Sequence, residues 1–128
     1  MMGEAASILE GLGFDLIDLN LGCPVKKVVR NNGGSGCLRD LGLVQAIIRA
    51  VRGATDRPVT VKIRLGWNDE HRNFREVAQA AIDGGADGIV IHGRTRAARY
   101  KTSADWQAIG ELAAAVSVPV VGNGDVLF

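Results

Sequence analysis

Four short stretches hold most of the residues able to do chemistry. In NLGCPVKK (20–27), Cys23 stands between a glycine and a proline, directly after the apolar-rich run FDLIDL, and two lysines follow. VTVKIRL (59–65) sets Lys62 among branched apolar residues, IVIHGRT (89–95) ends on His92 and Arg94, and VVGNGD (120–125) ends on Asn123, Gly124 and Asp125. A free thiol near its ordinary pKa of about 8.5 is protonated at neutral pH, so it can give up a proton without being activated. The commoner fate of a free cysteine is to fill space as a small hydrophobe. That fate suits Cys37 better than Cys23, whose neighbours place it at a strand end. Cys23 and Cys37 match neither a C-x-x-C pair nor a zinc pattern, so neither a disulfide nor a metal site is expected. A lysine among strand residues is costly to bury and calls for an anion or acceptor beside it.

These residues need elements to hold them. FDLIDLNL (14–21), PVTVKIRL (58–65), DGIVIHGR (87–94) and VPVVGNGD (118–125) read as strands, and each pair is separated by a helical stretch. Leu41, Val44, Ile47, Ile48 and Val51 fall on one helical face; so do Phe74, Val77, Ala78 and Ala81, and Trp106, Ile109, Leu112, Ala113 and Val116. Helix starts are signalled at Asp40, Asn73 and Ser103, and Gly84-Gly85 stops the middle helix. Residues 3–12 read as the tail of an earlier helix. Such a βαβαβαβ array makes a parallel sheet.

Alternation along the strands selects the architecture. Val59, Val61 and Ile63 share one face, and Thr60, Lys62 and Arg64 share the other. Leu19 and Leu21 oppose Asp18 and Asn20; Ile89 and Ile91 oppose Val90, His92 and Arg94; Val121 aligns with Asn123 and Asp125. A sheet covered by helices on both faces reads as continuously apolar. Here each strand has a polar face, and the polar residues gather at its carboxyl end, where (β/α)8 barrels keep their active sites. The expected fold class is therefore α/β, a partial (β/α)8 TIM barrel of about four parallel strands. A whole barrel takes about 250 residues, and this chain has 128.

Composition sets further bounds. With 47% hydrophobic and 23% charged residues the chain suits one globular unit, and with 15 basic against 14 acidic residues it lacks a bulk nucleic-acid signature. No apolar run approaches the roughly 18 residues of a membrane span, so no membrane partner is expected and a cytoplasmic location is the default. Neither G-x-x-x-x-G-K-[ST] nor G-x-G-x-x-G is present, which leaves nucleoside-triphosphate and Rossmann readings with little support.

The ordered set LNLGCP, KKV, GGSG, VTVKIRLGW, IVIHGRT, ADW and VPVVGNGDV resembles the tRNA-dihydrouridine synthase family of flavoenzymes, from about residue 14 to 126. The resemblance implies an FMN-dependent barrel that reduces uridines in tRNA with NADPH as electron source, followed by a helical domain that helps hold the tRNA. Residues 1–128 correspond to the central part of that barrel; its opening strands, its last two strands with their phosphate-binding loop, and the helical domain are expected to lie outside the sequence. GGSG and GCL depart mildly from the family pattern.

By resemblance, Cys23 is the proton donor, with Gly22 allowing close approach of the base and Pro24 setting the loop direction. Asn20 resembles the residue that bonds the uracil edge. Lys62, His92, Asn123, Gly124 and Asp125 resemble the cofactor-binding set, Lys62 against the anionic edge of the flavin. Arg94 is assigned to substrate or flavin, and Arg99 and Lys101 to substrate. Lys26, Lys27 and Arg30 are phosphate contacts or ordinary solvated charges. Tyr100, between two basic residues, is a candidate to stack on an RNA base, and His71 is read as solvated. Two alternatives stand beside this reading: a dihydroorotate- or dihydropyrimidine-dehydrogenase-like flavoenzyme, and a non-catalytic half-barrel. Open barrel edges imply self-association in either case.

Overall fold

The computed structural model describes residues 2–21 and 40–126. They form, in order, α1 (Met2–Gly11), β1 (Ile17–Asn20), α2 (Leu41–Ala54), β2 (Val59–Arg64), α3 (Phe74–Gly84), β3 (Gly88–His92), α4 (Trp106–Ala115) and β4 (Val120–Asn123). The strands make one sheet in the order β1-β2-β3-β4, and each neighbouring pair is parallel. The partial α/β barrel expected from the alternation is the architecture found.

Local chemistry sets the boundaries. Asp40 caps α2 by accepting a hydrogen bond from the Leu43 amide at 2.9 Å. Gly85 ends α3 with φ 114°, and its amide donates back to the carbonyls of Ala81 and Ile82; this left-handed cap favours glycine. Asn73 occupies the cap position of α3 but makes no side-chain cap bond. The start of α4 corrects the sequence expectation, because Asp105 and not Ser103 is the cap. Its carboxylate accepts from the Ala108 amide at 3.0 Å and is also held by Arg72 at 2.7 Å. A charged acceptor caps more strongly than a hydroxyl. The strands are shorter than the apolar runs suggested. At the end of β3, the Arg94 amide bonds the His92 carbonyl at 2.8 Å and turns the chain out of the ladder.

The core lies on one side of the sheet. Val59, Val61, Ile63, Ile89 and Ile91 are buried against Val44, Ile48 and Val51 of α2, Val77 and Ala81 of α3, and Leu112 of α4, and all belong to a single cluster. The opposite face carries Asp18, Asn20, Thr60, Lys62, Val90, Val121 and Asn123, which are partly or fully exposed. At the amino ends of the strands, Arg52 of α2 donates to Asp87 at 2.5 Å and to the carbonyls of Thr55 and Arg57 at 2.8 and 2.6 Å. Asp87 in turn accepts from the Val59 amide at 2.9 Å. One guanidinium thereby ties α2 to the entries of β2 and β3. Among the described residues, no helix is long and apolar enough to cross a membrane.

Candidate active site at the carboxyl ends of the strands

Strand register turns the polar residues into rows. Asn20 pairs with Lys62, which pairs with Val90; one step further, Arg64 pairs with His92, which pairs with Asn123. Because successive side chains alternate, residues two apart share a face, and both rows lie on the side of the sheet opposite the described helices. The row below joins Asp18 to Thr60, whose hydroxyl donates to the Asp18 carboxylate at 2.7 Å. Asn20, Lys62, His92 and Asn123 are thus brought to one end of one face.

A buried network stands above these rows. Arg94 is 7% exposed, and its three nitrogens all meet protein atoms: Nε donates to the Thr102 carbonyl at 2.7 Å, one terminal nitrogen lies 2.8 Å from His92 Nε2, and the other donates to Asp125 at 2.5 Å. The second oxygen of Asp125 accepts from the Ala104 amide at 2.7 Å. Arg64, also buried, donates to the carbonyls of Thr95 and Arg99 at 3.1 and 3.2 Å. Tyr100 is 72% exposed, yet the guanidinium carbons of Arg64 and Arg94 lie 5.5 and 5.7 Å from its ring centre and the His92 ring 5.8 Å away. Arg99 and Lys101 are exposed, with Arg99 at φ 50°.

Gly124 is required here for two reasons. Its φ is 118°, and a Cβ at this position would lie 2.9 Å from the Ala104 Cβ and 3.1 Å from His92 Cδ2. The carbonyl of Gly124 also accepts from the Trp106 indole nitrogen at 2.8 Å. The turn is pressed between the loop after β3 and α4.

The electrostatics follow from this crowding. Burial, and then the positive charges of Arg64, Arg94 and Lys62, push His92 down to about 4, with Asp125 opposing. The imidazole is therefore neutral at neutral pH. The Ala104 amide and Arg94 hold the Asp125 carboxyl below the ordinary carboxylate range. Among the described residues no carboxylate pairs with Lys62. With Arg64 and Arg94 engaged by protein atoms, Lys62 is the strand cation that this face presents among the described residues, and its ammonium suits a planar group with an anionic edge such as the N1/C2=O side of a reduced flavin.

Besides Gly124 in the turn beside His92 and the exposed Arg99 and Lys101, the sequence-derived assignments fall into three groups. Asn20, Lys62, His92 and Asn123 share the face. Arg94 and Asp125 bond each other rather than standing open to a ligand. Cys23, Lys26, Lys27, Arg30, Cys37 and the GGSG stretch lie outside the described residues. Arg64 was given no role from sequence, although its position two residues after Lys62 on the polar face was the available signal. A cleft of about 500 Å³ lies elsewhere, at the starts of α3 and α4, lined by Arg72, Phe74, Arg75, Asp105, Gln107 and Glu111 among others. Its arginines are paired, Arg72 with Asp105 and Arg75 with Glu111.

Comparison with known proteins agrees with the earlier resemblance. A family model described as dihydrouridine synthase matches residues 1–127. A probable tRNA-dihydrouridine synthase of Rhodobacter capsulatus is 49% identical over 125 residues, 98% of this chain and 39% of that protein. tRNA-dihydrouridine synthase B of Escherichia coli K12 is 46% identical over 125 residues, again 98% of this chain and 39% of the relative. A probable tRNA-dihydrouridine synthase 1 of Synechocystis is 45% identical over 125 residues, 98% of this chain and 35% of the relative. The chain thus spans 35–39% of the length of these curated relatives.

Proposed function

The chain belongs to the dihydrouridine synthase family, and from that premise we propose that it forms the central part of a catalytic barrel that reduces uridine in tRNA to 5,6-dihydrouridine, using FMN and NADPH. The observation that carries the reading is the in-register pair of rows, Asn20–Lys62 and Arg64–His92–Asn123, at the carboxyl ends of parallel strands. In barrels of this class that end holds the active site.

Saturating the 5,6 double bond of uracil takes a hydride at one carbon and a proton at the other. Lys62 and Asn123 would hold a reduced flavin on this face, which would supply the hydride with electrons from NADPH. The proton must come from the protein. His92 is neutral and carries no readily released proton at neutral pH. Cys23 is the proton donor that the family resemblance implies, and a thiol near its ordinary pKa is protonated at neutral pH and suits the task. Asn20 orients the uracil edge, while Lys62 balances negative charge on the cofactor. Tyr100, exposed and flanked by Arg64 and Arg94, offers a ring on which a base can stack.

The test is an exchange. Residues 1–127 replace the matching stretch of the E. coli relative, and the chimera is expressed in cells lacking that enzyme. Restored dihydrouridine in tRNA supports the reading. A folded, flavin-containing chimera that reduces free pyrimidines but not tRNA would refute it in favour of a dehydrogenase-like enzyme.

A further inference from the structure

The contact between Arg94 and His92 constrains the imidazole more tightly than the family assignment does. A guanidinium has five N–H donors and no acceptor, and it stays charged at any accessible pH. At 2.8 Å from an Arg94 terminal nitrogen, His92 Nε2 can only be the acceptor. The proton of the neutral ring must then sit on Nδ1. An imidazolium would set N–H against N–H across the same 2.8 Å, so the geometry alone disfavours the charged form.

Arg94 is poorly placed to move away. The Thr102 carbonyl fixes its Nε and Asp125 fixes its far nitrogen, while Asp125 is itself held by the Ala104 amide. Among the described residues, the other charged and titratable groups facing the ring are Lys62 and Arg64 of β2 and Tyr100 of the loop after β3. Gly124 lies against the Cδ2–Nε2 edge of the imidazole, since a Cβ there would stand 3.1 Å from Cδ2 and 3.3 Å from Nε2. Nδ1 is on the opposite side of the ring, away from that turn.

We propose that Arg94, anchored by Asp125 and the Thr102 carbonyl, is a positioning residue that locks His92 as a neutral Nδ1–H tautomer. His92 is then a fixed hydrogen-bond donor: it recognises an acceptor atom of whatever ring binds on the face and supplies no proton to it. Arg94 thereby acts through His92 and not by touching substrate. The inference goes beyond the proposed function and holds whichever pyrimidine or flavin atom is the acceptor.

Nitrogen-15 NMR tests it on the chain itself, without ligand. The chain has two histidines, so His71→Gln assigns the spectrum. At pH 7 the His92 ring should show a pyrrole-type Nδ1 and a pyridine-type Nε2. Arg94→Met should shift the ring toward the Nε2–H tautomer and move its titration up toward the ordinary histidine range. Arg94→Lys, which keeps a cationic donor, should restore the Nδ1–H form. A wild-type ring that is Nε2–H or doubly protonated at pH 7 would overturn the proposal. So would a folded Arg94→Met chain with an unchanged tautomer. If Arg94→Met does not fold, the wild-type and Arg94→Lys spectra decide by the same criteria.

Discussion

Gly124→Ala is the substitution whose cost can be worked most directly from the structure. At φ 118° a residue with a Cβ is held in a sparsely populated region, which costs about 1–3 kcal/mol. The new methyl would also stand 2.9 Å from the Ala104 Cβ and 3.1 Å from His92 Cδ2, closer than ordinary contact. Overpacking of that kind adds about 1–3 kcal/mol. The sum, about 2–6 kcal/mol, is a large part of the 5–15 kcal/mol typical of a domain. With a urea slope of about 2 kcal/mol per molar, the midpoint should fall by about 1–3 M. The two contributions separate in a double mutant: Ala104→Gly removes the Ala104 overlap but leaves the backbone strain, so Ala104→Gly/Gly124→Ala should recover only part of the loss. The damage should also reach the site, because Asp125 follows directly and moves away from Arg94. A midpoint shift under about 0.3 M, or full recovery in the double mutant, would refute the reasoning.

Other perturbations read other parts of the account. The depressed His92 pKa fixes a pH window: above about 6.5 both folded and unfolded chains hold a neutral ring, and between 6.5 and about 4 only the unfolded chain takes up the proton. Stability should therefore fall as pH drops through that window, by about 1–2 kcal/mol after allowance for screening at the open rim; denaturation of a His92→Asn chain should lack this component, and an identical pH slope would contradict it. Arg52→Ala removes the tie between α2 and the entries of β2 and β3, and should cost about 1–3 kcal/mol by urea melt; a loss below about 0.3 kcal/mol would show the tie to be inert. The outer strands and the exposed inner face, with Val121 58% exposed, should make the isolated chain self-associate; sedimentation showing a concentration-independent monomer would exclude this. In the chimera, Lys62→Ala should lower flavin content or slow flavin reduction while the fold persists, as read by absorbance and circular dichroism. Unchanged content together with unchanged rate would remove Lys62 from the site.

Much of the fold was legible because two periodicities coincide in it. Apolar residues at helical spacing in α2 and α3 marked the buried faces, and strict alternation in β2 separated Val59, Val61 and Ile63 from Lys62. The parallel order followed from the alternation of strands and helices. Asn20, Lys62, His92 and Asn123 could be grouped because each lies on the polar face near a strand's carboxyl end. The bonding of the site was not legible. Whether Arg94 reaches outward or back to His92 depends on a loop that brings the Thr102 carbonyl and Asp125, 8 and 31 residues away in the chain, against one guanidinium. No local pattern encodes that. The cap of α4 was missed for a related reason: Ser103 has the right residue type, but Arg72, 33 residues from Asp105, helps fix Asp105 in place.

On the proposed function, a uracil ring is reduced with a hydride from flavin and with the proton of Cys23 that the family resemblance implies. Stopped-flow measurement of both half-reactions in the chimera, with and without Cys23→Ala, tests it most directly. Cys23→Ala should leave reduction of the bound flavin by NADPH unchanged and slow reoxidation by tRNA about 10²–10⁴-fold, the usual cost of losing a positioned acid. A Cys23→Ala chimera whose reduced flavin is reoxidised by tRNA at the normal rate would contradict it.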